Sequence, residues 1–357
     1  MPGCARKMLA AMAVLVMSCG PETTRDTNAD MDTEAGQPEV DLPTIHYRFH
    51  TVLPIPDEGS LADPHVIKLG DTWYLYATHS QEGFEVWTSQ DLENWEEGST
   101  IWEPTLGWQV RGGLCGMWAP HVEPAGDLFY LYYSANCRIG VAVADSPLGP
   151  FLEVSPHPLV GNGHGGIGDG VLVDDLLYDW SNFAIDAFLL QQQGGQKFLY
   201  FTAMSPLSEI HVVPMADFVT VAGPPTRVLE ADVHSWEGII REGAWVMERD
   251  DQFMLMYSGN QSESVDYGIG VATAPSPLGP FVRDSRNPLL RADPANGFFG
   301  PGHHSVVPGA HDDLLFFYHT KVSAERDHDR RLRYGLLWFA EDGRVFMGGP
   351  DGRTGRY

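Results

Sequence analysis

A thirteen-residue segment that occurs twice constrains this chain more than any other feature. Ile139-Gly-Val-Ala-Val-Ala-Asp-Ser-Pro-Leu-Gly-Pro-Phe151 returns as Ile269-Gly-Val-Ala-Thr-Ala-Pro-Ser-Pro-Leu-Gly-Pro-Phe281, identical at 11 of 13 positions and offset by 130 residues. Each copy follows an aromatic run, Phe129–Ser134 or Phe253–Ser258. Three further aromatic runs, Trp73–Ala77, Phe198–Thr202 and Leu314–His319, also stand between two other apolar stretches. Unit starts near residues 63, 118, 185, 242 and 300 give a period of about 59 residues. Each unit reads as strand, turn, aromatic strand, turn, strand, with room for a fourth. Such units cannot bury both faces alone and gain stability by stacking around an axis. The expectation is an all-β fold: a five-bladed β-propeller of four-stranded blades, within residues 42–357. No long run carries the 3.6-residue periodicity that an α/β barrel needs. A β-sandwich supplies short strands but no such repeat.

Composition agrees and narrows the partners. The 39 glycines and 26 prolines supply the many turns that short strands require. With 48 Asp and Glu against 22 Lys and Arg, the formal charge is −26. That balance disfavours nucleic acid, whose binding needs clustered cations to release counterions, and it disfavours anionic lipid surfaces.

The first 41 residues read differently. Residues 1–18 have Arg6 and Lys7 before an apolar run from Met8 to Met17, the pattern of a signal peptide, and the run is too short to span a bilayer. Val16-Met-Ser-Cys19 resembles a bacterial lipobox, which makes Cys19 the expected lipidated residue. Residues 19–41 are acidic and poor in large apolar side chains, as in a solvated tether. The expected location is the cell envelope, exported and lipid-anchored, with membrane contact through that anchor only. Cys115 and Cys137 remain; they form either one disulfide or two independent thiols.

The first strand of a propeller blade lines the central channel, so the openings of the five units face one cavity. These openings are Ala62-Asp63-Pro64-His65, Trp118-Ala119-Pro120-His121, Ile185-Asp186-Ala187-Phe188, Glu242-Gly243-Ala244-Trp245 and Gly302-His303-His304-Ser305. Three of the five carry a carboxylate: Asp63, Asp186 and Glu242. Acids gathered in one cavity push each other's pKa values apart, so one can be protonated while another is ionised. That pair of states is what glycosidic hydrolysis requires. Trp118, Phe188 and Trp245 are channel-facing candidates for stacking on sugar rings.

Together with Ser89-Gln-Asp-Leu-Glu-Asn-Trp95 and Gly300-Pro-Gly-His303, these openings make the chain from about residue 60 to 347 resemble glycoside hydrolase family 43. The family includes the five-bladed arabinofuranosidases, arabinanases and β-xylosidases. The resemblance implies inverting hydrolysis of an arabinan-, xylan- or galactan-type carbohydrate by a monomer. It implies Asp63 as general base, Glu242 as general acid, and Asp186 as the residue that orients Glu242 and raises its pKa. His303 falls at the axial histidine of the family, a sugar- or water-binding position that in some members helps hold calcium. No cofactor is required for the chemistry; a structural calcium ion near the axis is the one implied option. Because the chain stops at Tyr357, soon after the fifth unit, arabinofuranosidase, arabinanase or galactan-type activity is expected over β-xylosidase. The alternative reading is a non-catalytic glycan-binding surface lipoprotein. The three intact acids favour the enzyme.

Overall fold

The five aromatic runs become the second strands of five four-stranded antiparallel sheets. These sheets appear in a computed structural model that describes residues 60–161, 183–308 and 314–347, apart from 81, 97, 111–114, 205–206, 326–327 and 341–342. Residues 1–18, the 19–41 segment and Cys19 lie outside the described residues. Blade one is β1 (Ala62–Leu69), β2 (Thr72–Thr78), β3 (Phe84–Ser89) and β4 (Ser99–Trp102). A single helical turn, α1 (Gly107–Val110), leads towards blade two. Blade two is β5 (Met117–Ala125), β6 (Leu128–Ala135), β7 (Arg138–Ala144) and β8 (Leu152–Glu153). Blade three is β9 (Ala184–Gln191), β10 (Lys197–Met204), β11 (Ser208–Met215) and β12 (Thr226–Leu229). Blade four is β13 (Arg241–Arg249), β14 (Gln252–Gly259), β15 (Gly268–Ala274) and β16 (Val282–Arg283). Blade five is β17 (Phe299–Pro308), β18 (Leu314–Lys321), β19 (Arg330–Phe339) and β20 (Val345–Met347).

The inner strands β1, β5, β9, β13 and β17 touch in that order, and β17 returns to β1. The architecture is thus the five-bladed propeller that the repeat implied. Each blade lies between two others, so its middle strands are apolar on both faces instead of alternating. Tyr132, Leu131 and Tyr133 of β6 are all completely buried. One apolar cluster joins Phe188 and Tyr200 of blade three to Val246 and Leu255 of blade four. Another joins Tyr76 and Phe84 of blade one to Leu131 and Tyr133 of blade two.

The duplicated segment makes the same contacts at two junctions. The backbone N–H of Phe151 donates to Ile101 O on β4 (2.8 Å), and that of Phe281 donates to Val228 O on β12 (2.9 Å). The hydroxyl of Tyr76 donates to Pro147 O (2.8 Å), and that of Tyr200 to Pro277 O (2.5 Å). Each copy therefore clamps its blade to the one before it. Cys115 and Cys137 are joined as a disulfide with Cα atoms 5.1 Å apart, tying the approach to β5 to the β6–β7 turn. Near the start of the described residues, Leu61 N–H donates to Arg330 O (3.3 Å) and Ser60 Oγ to His328 O (2.8 Å). Arg330 N–H donates back to Ser60 Oγ (2.9 Å), which closes the ring.

Candidate active site

All five inner strands break register near their starts: after Ala62, Trp118, Ile185, Glu242 and Gly302. The residue at the break has a left-handed backbone in each case: Asp63 (φ 49°), Ala119 (49°), Asp186 (58°), Gly243 (62°) and His303 (45°). Such a bulge bends the strand and re-aims its side chains. Four of these are not glycine, and a non-glycine residue at positive φ costs about 1 kcal/mol or more, a strain usually found at functional sites. At Gly243 a Cβ would also lie 3.2 Å from His303 Cγ, so a side chain there would crowd the histidine.

The bulges gather the three acids and His303. Asp63 is 8% and Asp186 6% exposed. His303 Nδ1 stands 3.3 Å from Asp63 Oδ1 and 4.0 Å from Asp186 Oδ2. Three groups that the sequence reading did not single out complete the Asp63 environment. Thr78 donates its hydroxyl proton to Oδ2 (2.7 Å), while His319 Nδ1 (3.4 Å) and Arg330 Nη1 (3.5 Å) face Oδ1. Glu242 keeps an accessible edge and accepts a hydrogen bond from the Tyr267 phenol at Oε1 (2.7 Å). Gly302 makes room for that phenol, since a Cβ there would sit 1.8 Å from Tyr267 Cε1. Asp186 accepts from the N–H of Gly243, the residue after Glu242, and is thereby tied to its backbone.

The acids are driven in opposite directions. Burial alone would raise the Asp63 pKa, but His303 and Arg330 hold it well below the ordinary carboxylate range. Burial pushes His303 towards its neutral form and lowers His319 to about 4, so the lasting positive charge beside Asp63 is the Arg330 guanidinium. Glu242 is pushed up to about 7 by burial and by the Asp63 charge, against the pull of Tyr267. Asp186 is raised well above the ordinary range by burial and by the neighbouring Glu242 and Asp63. One carboxylate is thus ionised and another holds its proton near neutrality.

Two residues further along the strands lies a layer of rings. His65 and His121 are 4.3 Å apart, His121 and Phe188 5.2 Å, and Phe188 and Trp245 4.6 Å. These four residues, with Lys68 and Glu123 among others, line a cavity of about 580 Å³ that none of the three acids borders. Phe188 and Trp245 therefore belong to this inner layer and not to the carboxylate cluster. Trp118 is partly exposed and occupies in β5 the register position that Glu242 holds in β13.

The described side chains do not by themselves make up a calcium shell at His303. Calcium takes six to eight oxygen ligands, whereas His303 offers a ring nitrogen. Among the described residues no group of three or more His, Cys, Asp or Glu is placed to hold a metal ion.

The family model for glycosyl hydrolases family 43 matches residues 54–345. A β-D-galactofuranosidase of Aspergillus niger is 26% identical over 83% of this chain and 86% of that protein. An α-L-arabinofuranosidase of Humicola insolens is 25% identical over 82% of this chain. The match spans 63% of that relative's length, less than two thirds. The crystal structure of a thermostable family-43 glycoside hydrolase superposes with a TM-score of 0.71 at 30% identity, covering 85% of this chain and 97% of that one.

Proposed function

The chain belongs to glycosyl hydrolase family 43, and on that premise we propose that it is an inverting glycosidase of arabinan- or xylan-type glycans. Asp63 acts as general base and Glu242 as general acid. Asp63 takes a proton from a water whose oxygen bonds to the anomeric carbon. The glycosidic carbon–oxygen bond breaks, and Glu242 gives its proton to the departing oxygen. Each acid begins in the state its step consumes: Asp63 ionised, Glu242 protonated near neutrality. The observation that carries the reading is geometric: one acid faces a histidine and a guanidinium, another a phenol, at bulges of one channel. Asp186 serves by accepting the Gly243 N–H and so fixing the backbone next to Glu242.

The relatives named above point to furanoside substrates, so an α-L-arabinofuranoside or β-D-galactofuranoside is the substrate class we favour. Trp118, level with Glu242 at the mouth, is the aromatic side chain we assign to the sugar face. A binding protein without turnover gains nothing from one ionised and one protonated acid held together, which weighs against that alternative.

The test is turnover by the full chain on aryl furanosides and pyranosides and on arabino-, xylo- and galacto-oligosaccharides. Product configuration is followed by NMR, and Asp63→Asn and Glu242→Gln run beside the wild type. Loss of turnover in both folded variants, with an initial product of inverted configuration, is expected. A retained configuration, or undiminished turnover in either variant, overturns the mechanism.

A further inference from the structure

The bulge on each inner strand takes one backbone N–H out of the sheet ladder, and a buried N–H needs another acceptor. Four of the five junctions solve this alike, with a side chain from the second strand of the preceding blade. Ala119 N–H donates to Thr78 Oγ1 (2.8 Å), Asp186 N–H to Ser134 Oγ (3.0 Å) and His303 N–H to Ser258 Oγ (2.8 Å). Asp63 N–H donates to His319 Nδ1 (3.2 Å). These acceptors are structurally equivalent: each pairs across its own blade with the residue before the bulge, as Thr78 does with Ala62. The fifth equivalent is Thr202, opposite Ile185. Its hydroxyl is buried without a hydrogen-bond partner among the described residues, and Gly243 N–H turns to the Asp186 carboxylate instead.

A hydroxyl that accepts from an N–H still has its own proton to give. Thr78 gives it to Asp63 Oδ2 at 2.7 Å. Because Ala119 N–H can only donate, the direction of the chain is fixed: amide, hydroxyl, carboxylate. Ser258 has a matching arrangement, since its hydroxyl bonds the Tyr267 phenol, which donates to Glu242. Both acids of the proposed mechanism therefore stand at the end of a hydrogen-bond chain that begins at a bulge amide. The rotor of Thr78 is set by blade two, and the carboxylate it holds belongs to blade one.

We infer that Thr78 is a positioning residue, which fixes the plane of the Asp63 carboxylate for proton transfer from water through a hydroxyl oriented by Ala119 N–H. The inference rests on Asp63 being the base. It concerns geometry: Oδ2 is held by Thr78, leaving Oδ1 to His303 and Arg330. Thr202 supplies an internal control, being the same residue type at the equivalent position with no bond to lose.

The test compares Thr78→Val, Thr78→Ser, Thr202→Val and Asp63→Asn in the full chain, on whichever glycoside the wild type hydrolyses. Steady-state kcat and KM and the melting temperature are read for each. Thr78→Val is expected to lower kcat roughly 10- to 100-fold, the rate equivalent of one hydrogen bond to a charged group, with KM near wild type. Thr78→Ser should restore most of kcat, and Thr202→Val should leave both constants unchanged. If Thr78→Val fails to fold, Thr78→Cys, with its weaker thiol donor, should show a smaller kcat loss at unchanged KM. A Thr78→Val that loses melting temperature but keeps kcat, or a loss that serine does not repair, overturns the inference and leaves Asp63 as base untouched. Turnover surviving in Asp63→Asn removes the base assignment itself.

Discussion

Removing one phenolic hydroxyl should move the alkaline edge of activity in a calculable direction. Tyr267 donates to Glu242 Oε1 at 2.7 Å, and this bond is the main influence pulling down a pKa that burial raises to about 7. The bond favours the ionised acid, so Tyr267→Phe stabilises the protonated form that the proposed mechanism uses. A hydrogen bond to a charged acceptor contributes about 1.5–3 kcal/mol, and about 1.4 kcal/mol is a factor of ten in an ionisation equilibrium. Even the lower end moves the Glu242 midpoint from about 7 to about 8. Phenylalanine keeps the ring that stacks on His319 at 5.7 Å, so the fold should survive. The assay is kcat/KM against pH, each enzyme normalised to its own plateau, because that ratio reports ionisations of the free enzyme. At pH 8.5 the wild type should retain roughly 3% of its plateau and the variant roughly 25%, from the protonated fractions alone. The reasoning fails if the alkaline edge of Tyr267→Phe stays where it was or moves to lower pH.

Further outcomes follow from the same contacts. Arg330→Met removes the guanidinium 3.5 Å from Asp63 Oδ1; the Asp63 pKa should rise and the acid edge of kcat/KM should move to lower proton concentration by roughly tenfold or more, with Arg330→Lys recovering part of it. Glu237 and Arg241 are completely buried as an ion pair at 2.7 Å, with Arg283 on the same carboxylate. Glu237→Ala leaves a buried guanidinium unpaired and should cost about 3–5 kcal/mol, seen by calorimetry as a melting temperature lower by about 10 °C. Glu123 is raised from its ordinary 4.5 to about 7 by burial. Its folded form therefore binds a proton more tightly than its unfolded form, and stability falls as pH rises from about 4.5 to 7. Glu123→Gln should accordingly stabilise the protein by about 1–2 kcal/mol at pH 8 and by nothing at pH 4, measured by urea unfolding at both values.

What the sequence could and could not reveal divides along physical lines. The duplicated segment was legible because identical contacts demand identical residues: Phe151 and Phe281 meet the outer strand of the previous blade, and Tyr76 and Tyr200 cap the same turn. Asp63, Asp186 and Glu242 were legible because each opens a strand that the period had already located. The side chains that tune them were not. His319 meets Asp63 across 256 residues, and Thr78, Tyr267 and Arg330 come from other strands or turns. The one available signal was a hydroxyl or histidine closing each aromatic run, at Thr78, Ser134, Thr202, Ser258 and His319. Phe188 and Trp245 show a different limit. Alternation reveals which face of a strand a residue occupies but not its depth along the channel, and two residues of rise carried both into the ring layer with His65 and His121.

Arg330 has two occupations. Its backbone joins Leu61 and Ser60 to close the ring, and its side chain supplies the charge beside Asp63. During synthesis Asp63 emerges early, whereas Arg330 belongs to blade five and emerges about 270 residues later. A ribosome-bound chain with four finished blades carries all three acids, but neither the Arg330 guanidinium nor the rings of His303 and His319 yet stand beside Asp63. The surroundings of Asp63 are thus complete only once the ring closes. An opened seam therefore takes the acid cluster apart even while most strands remain paired.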